Sequence, residues 1–175
     1  NKLSESKIDV LLGGDLINQV SISNYNASKF RIPFLGLYSA CATYAEELIV
    51  GASLISGKLA KNIVALTSSH NLNAERQFRY PVEYGAVKKH TTTFTTTAAV
   101  STLLTSEQTN IKIESATIGK ALDMGITDTN NMGAVMAPAA AETLNTHLLE
   151  MKRNINYYDL VLTGDLGLVG REIFL

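Results

Sequence analysis

One cysteine in 175 residues rules out an internal disulfide and a thiolate metal cluster alike, which fits a reducing compartment. No apolar run is long enough to span a bilayer, and no amino-terminal signal peptide is expected. Neither sign of charge dominates. Fifteen Lys and Arg stand against 16 Asp and Glu, a formal net charge of -1, so no large single-sign field steers the chain toward nucleic acid or an anionic membrane. Only 18% of residues are charged and 46% are hydrophobic, enough for one sizeable core and no sign of disorder. The sequence starts at Asn1 rather than Met and stops at the uncapped apolar run Arg171-Glu-Ile-Phe-Leu175. It is expected to be an intracellular segment cut at both ends.

What is present reads as α/β. Ile8–Leu12 is a short apolar run followed by Gly13-Gly14-Asp15, which predicts a buried strand stopped by turn residues. Ile32 to Tyr38 leads into Ser39–Ile55, a helix whose sides are almost all small or apolar. It is expected to lie inside the protein, with Gly51, Ala52 and Ser53 permitting close approach and Gly57 ending it. Asn62–Thr67 is the next buried strand, closing a strand, helix, strand unit with parallel strands. Asn71 to His90 has loop chemistry. The β-branched stretches Thr91 to Thr97 and Ile111 to Ile118 are expected to be strands. Pro138 is expected to open a helix with Leu144, Leu148 and Met151 on one face.

An internal repeat organises this reading. Ile8-Asp-Val-Leu-Leu-Gly-Gly-Asp-Leu16 aligns without gaps on Tyr158-Asp-Leu-Val-Leu-Thr-Gly-Asp-Leu166. The two Gly-Asp strands are expected to be central, adjacent and parallel in a duplicated protein, with residues 1–135 in the first half and 136–175 opening the second.

Several strings carry a more specific likeness: Gly13-Gly-Asp-Leu-Ile-Asn-Gln19, Pro33-Phe-Leu-Gly-Leu-Tyr-Ser-Ala-Cys41, Thr67-Ser-Ser-His-Asn71, Ala74-Glu-Arg-Gln-Phe-Arg-Tyr-Pro81, Met136-Ala-Pro-Ala-Ala-Ala141 and Thr163-Gly-Asp-Leu-Gly167. With them the chain resembles the stage V sporulation protein AD family of the thiolase-like superfamily, over essentially its whole length. The resemblance implies a thiolase-like fold, layered α-β-α-β-α with duplicated halves. It implies binding of dipicolinic acid (pyridine-2,6-dicarboxylate), free or as its calcium chelate, and help in its uptake into the developing spore. It also implies membrane proteins of the same operon as partners, a homodimer, and a place in the forespore or spore, peripheral at the inner membrane. Neither a cofactor nor a protein-bound metal is implied.

Cys41 falls at a predicted helix start, where backbone N–H groups and the helix dipole stabilise a thiolate. It is either the nucleophile of an acyl-transfer enzyme or a small buried residue. A condensing enzyme needs a histidine after the second-half strand, and the repeat puts Gly164-Asp165 there, which points away from catalysis. His70, with Asn71, follows a buried strand at the sheet edge where α/β proteins hold ligands. It is a donor to a ligand carboxylate or a structural histidine. Arg76 and Arg79 suit a bidentate grip on carboxylates, or surface pairing with Glu75 or Glu83. Ligand binding is thus expected from Cys41, His70, Asn71, Arg76 and Arg79. His90 and His147 read as solvated. Asp15, Asp123, Asp128 and Asp165 read as turn formers rather than calcium ligands, and Gly164, Gly167 and Gly170 lack the Lys and Ser/Thr of a phosphate loop. The remaining alternative is a structural subunit of a membrane transport complex.

Overall fold

The computed structural model describes residues 3–16, 19–69, 87, 89–93 and 95–175. They belong to two compact units, Asn1–Arg76 with Thr96–Ile113, and Gln77–Thr95 with Glu114–Leu175.

The first unit is built on a four-stranded sheet. Its strands are β1 (Val10–Asp15), β2 (Phe34–Gly36), β3 (Asn62–Ser68) and β4 (Ala99–Thr105), in the order β2-β1-β3-β4. β1 runs parallel to both neighbours, with Leu12 opposite Leu35 on one side and Ala65 on the other, while β4 is antiparallel to β3. Helix α1 (Ser21–Ala27) follows β1, and α2 (Thr43–Ser56) connects β2 to β3. Leu12, Ala60, Ile63 and Leu104 form the core, with Leu48 and Leu54 of α2 packed on it.

β1 extends beyond the expected run because Gly13-Gly14-Asp15 continues the strand instead of stopping it. Both glycines are there for close approach. A Cβ on Gly14 would meet the Leu37 carbonyl oxygen at 2.5 Å and collide with Thr43, and one on Gly13 would stand 2.9 Å from the Phe34 ring. Helix α2 is half-buried rather than enclosed, with Thr43, Glu47 and Gly51 as its buried stripe. Gly51 lies against Leu104 and Leu12, as its small size suggested, while Ser53 is exposed. The left-handed residue ending α2 is Lys58 (φ 59°), one beyond Gly57. The amides of Lys58 and Leu59 cap the Ile55 and Leu54 carbonyls, the paired bonds of a Schellman motif.

The strand expected at Thr91 to Thr97 lies later, at β4, and Ile111 to Ile118 forms none. Thr91 to Thr97 satisfies β propensity but offers little apolar face to bury, and Ile111 and Ile118 stay 90% and 77% exposed, whereas β4 delivers Leu104 to the core.

The second unit holds α3 (Met132–Glu150) and α4 (Gly167–Phe174). α3 starts six residues before Pro138, capped by the Asn131 side chain accepting from the Ala134 amide. Its buried face is Gly133, Ala134 and Ala137. Gly133 and Gly170 bring the two helices into backbone contact, since a Cβ on Gly170 would stand 2.7 Å from the Gly133 carbonyl oxygen. Of the three glycines near the end of the chain, Gly170 serves helix packing, Gly167 takes a left-handed φ of 63°, and a Cβ on Gly164 would meet open space. The second copy of the repeat forms no strand among the described residues. Tyr158 is extended, but Leu160 and Leu162 are 70% and 80% exposed, with no neighbouring strand to complete a ladder.

Among the described residues no helix is long and apolar enough to cross a membrane.

Candidate functional site

The carboxyl end of β1 and the entry to α2 meet around Cys41. The chain leaves β2, passes through Ser39 and makes a 3₁₀ turn at Ala40–Ala42 before α2 begins at Thr43. Ala40 is held at φ 48°, a left-handed conformation unusual for a residue with a Cβ. Thr43 fastens this turn. Its hydroxyl donates to the Ala40 carbonyl at 2.8 Å and accepts from the Ser39 amide at 3.0 Å. Its methyl packs on Gly14, so the strand, the turn and the helix lock together at one glycine.

Cys41 is solvent-exposed. Local burial of its thiol nevertheless pushes the pKa up, only partly opposed by a hydrogen bond to its own backbone. The helix start expected at Cys41 comes two residues later: Cys41 sits in the 3₁₀ turn and α2 begins at Thr43.

Beneath the turn lies a carboxyl that the sequence reading missed. Glu47 is 0% exposed. Its pKa is pushed up to about 8, first by burial and then by the charge of Glu46, with the Gly14 amide opposing the rise. Neither Glu47 oxygen has a hydrogen-bond partner within bonding geometry, so the Gly14 amide acts through proximity alone. Asp15, also buried, accepts from the Ser23 amide at 3.0 Å and the Ser23 hydroxyl at 2.8 Å, tying β1 to α1.

His70, Asn71, Arg76 and Arg79 lie outside the described residues. β3 carries the chain as far as Ser68 at the same sheet edge as Asp15, its register partner on β1. Asp123, Asp128 and Asp165 each accept a backbone amide two residues on, at 2.8, 2.9 and 2.9 Å, which are turn bonds. Asp15 differs in ending a strand. Among the described residues no group of three or more His, Cys, Asp or Glu could hold a metal ion. A cavity of about 780 Å³ opens elsewhere in the first unit, between α2 and β4, with Leu48, Ile55, Leu104 and Ile111 among its walls; Cys41 does not line it.

His147 is not a solvated surface residue. Its ring nitrogens are hydrogen-bonded to Thr117 at 2.9 Å and to the Tyr158 hydroxyl at 2.5 Å. Arg153 donates to that hydroxyl at 3.0 Å and to Glu114 at 2.6 Å, and lies 4.2 Å over the Tyr157 ring. This cluster ties the end of α3 to the segment after it.

The fold is thiolase-like. It is shared with AbyA1, a tetronic acid condensing enzyme, at a TM-score of 0.63 and 16% identity over 98% of this chain and 60% of that one. A 3-oxoacyl-(acyl-carrier-protein) synthase III aligns with a TM-score of 0.59 and 10% identity over 98% of this chain and 61% of that one. At such identities the likeness concerns fold alone. The model of the stage V sporulation protein AD family matches residues 1–175, and the chain belongs to that family. Stage V sporulation protein AD of Bacillus subtilis (strain 168) is 48% identical over 173 residues, 99% of this chain and 51% of that protein. The chain spans about half the length of the curated relative it matches.

Proposed function

We propose that this chain belongs to a non-catalytic binding protein for dipicolinic acid, which assists uptake of that dianion into the developing spore. Family membership supplies the sporulation context. The observation that favours binding over catalysis is the state of Cys41, whose thiol is pushed above its ordinary pKa. A thioester-forming cysteine needs the opposite, a thiolate stabilised near neutral pH. In this reading the turn at Cys41 is the floor of an inherited pocket, with His70, Asn71, Arg76 and Arg79 supplying contacts to the ligand carboxylates. The ligand is taken free or as its calcium chelate. Membrane proteins of the same operon, a second copy of the protein, and a peripheral place at the inner spore membrane complete the proposal.

Acyl transfer at Cys41 is the second reading, favoured by the condensing enzymes that share the fold. Incubating the intact protein with acyl-coenzyme A and measuring its mass separates the two. Binding without catalysis predicts an unmodified mass, and a stable acyl adduct lost in Cys41→Ala would favour the enzyme.

A further inference from the structure

Summed over the chain, charge nearly cancels, but within the first unit it is sorted by sheet edge. Lys7, Lys29, Arg31, Lys58 and Lys61 all stand in the segments that lead into the amino ends of β1, β2 and β3. The opposite edge, where Asp15 and Cys41 lie, has no cation among the described residues. The three basic segments form one surface, because the 3₁₀ turn Glu5–Lys7 is bonded to both of the others. The Arg31 amide donates to the Glu5 carboxylate, and the Asn62 side chain donates to the Lys7 carbonyl at 3.1 Å. Asp9, just before β1, accepts from the Lys61 and Asn62 amides at 2.7 and 2.9 Å. All five cations are exposed, and none is ion-paired among the described residues.

Large apolar side chains are interleaved with these cations. Phe30, 44% exposed, lies between Lys29 and Arg31, and Leu59, 77% exposed, lies between Lys58 and Lys61. The backbone holds both in place, the Phe30 amide donating to the Ala27 carbonyl and the Leu59 amide to the Leu54 carbonyl. We infer that this edge is a docking surface for an anionic lipid bilayer, the cations meeting the headgroups while Phe30 and Leu59 enter the boundary with the acyl chains. The inference rests on the peripheral membrane placement proposed above and not on dipicolinate. Glu5, Asp9 and Glu107 share the edge, since Glu107 follows Thr105, the register partner of Asn62. The Asn62 and Lys61 amides hold the Asp9 carboxyl below its ordinary pKa, so it stays ionised. The positive excess is therefore modest, and charge alone would bind weakly. Stable attachment then needs the second, apolar contribution. An acidic macromolecule in solution would use the cations and leave Phe30 and Leu59 wet.

The test is co-sedimentation of the intact protein with vesicles of phosphatidylcholine containing about 30% phosphatidylglycerol, and with phosphatidylcholine alone, at about 0.1 M and about 0.5 M salt. Wild type is compared with Lys29→Gln/Arg31→Gln, Lys58→Gln/Lys61→Gln and Phe30→Ser/Leu59→Ser, and with Lys89→Gln/Lys152→Gln, which removes two exposed cations of the second unit. All these positions are exposed, and melts check that folding is unchanged. The expected result is binding to the anionic vesicles alone, weakened by salt. Each basic residue near such a surface is worth about fivefold, so each pair on the docking edge should lose about 20- to 30-fold. The Phe30/Leu59 pair should lose about tenfold or more at unchanged charge, and the second-unit pair should bind as wild type does. No wild-type binding, or losses as large in the second-unit pair, would overturn the assignment. Losses in the charge pairs with none in Phe30→Ser/Leu59→Ser would overturn it in favour of an acidic macromolecule. Dipicolinate titrated into the same variants should bind as it does to wild type, since its site is placed at the opposite edge. Vesicle binding without dipicolinate binding would support this surface and contradict the ligand reading, and dipicolinate binding without vesicle binding would do the reverse.

Discussion

The carboxyl of Glu47 is buried against Gly14, its Oε1 3.4 Å from where a Cβ on that glycine would stand. Burial holds the proton on: the folded-state pKa is pushed up to about 8, while in the unfolded chain the acid ionises in the ordinary carboxylate range. Between those limits the native state binds one more proton than the unfolded state, so stability falls as pH rises and levels off above about pH 8. Glu47→Gln should therefore match wild type near pH 4 and exceed it by on the order of 2–4 kcal/mol near pH 9. Denaturant unfolding at the two pH values measures this, and equal differences at both would show that Glu47 is not neutral in the folded protein.

Gly14→Ala should be among the most damaging small changes in the first unit. The added Cβ would meet the Leu37 carbonyl oxygen at 2.5 Å as well as Thr43, and backbone cannot yield as a side-chain end does. A loss of on the order of 3 kcal/mol is expected, read as a drop in Tm. Gly164→Ala, where a Cβ meets open space, should cost far less.

Thr43→Val keeps the methyl against Gly14 but removes the hydroxyl that holds Ser39 and Ala40. The cost should be about 1–2 kcal/mol, and the left-handed Ala40 should relax, speeding alkylation of Cys41 several-fold. An unchanged rate would mean that the turn is held by something other than Thr43.

Tyr158→Phe removes the hydroxyl shared by His147 and Arg153. Leaving both partners without it should lower stability by about 1–2 kcal/mol. Thermal melts test this, and an unshifted Tm would return the cluster to the status of a surface contact.

The elements that could be read from sequence are those whose residues settle the matter locally. β1, β3 and α2 are apolar runs bounded by polar residues, and each forms within a few positions of its expected place. The second repeat copy shares that pattern, but a strand also requires a neighbour's hydrogen bonds, which pattern alone does not supply. Pro138 misled because proline favours a first helical turn, yet Asn131 caps the helix earlier. Glu47 was missed although its burial was legible. Gly51 was read as a close-approach residue, and Thr43 and Glu47 precede it by eight and four positions, on the same face of a helix. A carboxyl at that spacing has to be buried wherever Gly51 is. His70, Asn71, Arg76 and Arg79 stand on sequence and resemblance alone.

The central claim, recognition of a flat aromatic dianion, is met most directly by calorimetric titration of dipicolinate into the intact protein, wild type and with Arg76→Ala, Arg79→Ala or His70→Ala, folding being checked by melts. Removing a guanidinium that grips a ligand carboxylate leaves that charge poorly solvated, at a cost on the order of 2–4 kcal/mol. The account predicts saturable binding by wild type and a roughly 30- to 1000-fold loss in at least one arginine variant. Absence of binding by wild type, or the same affinity in all three variants, would contradict it.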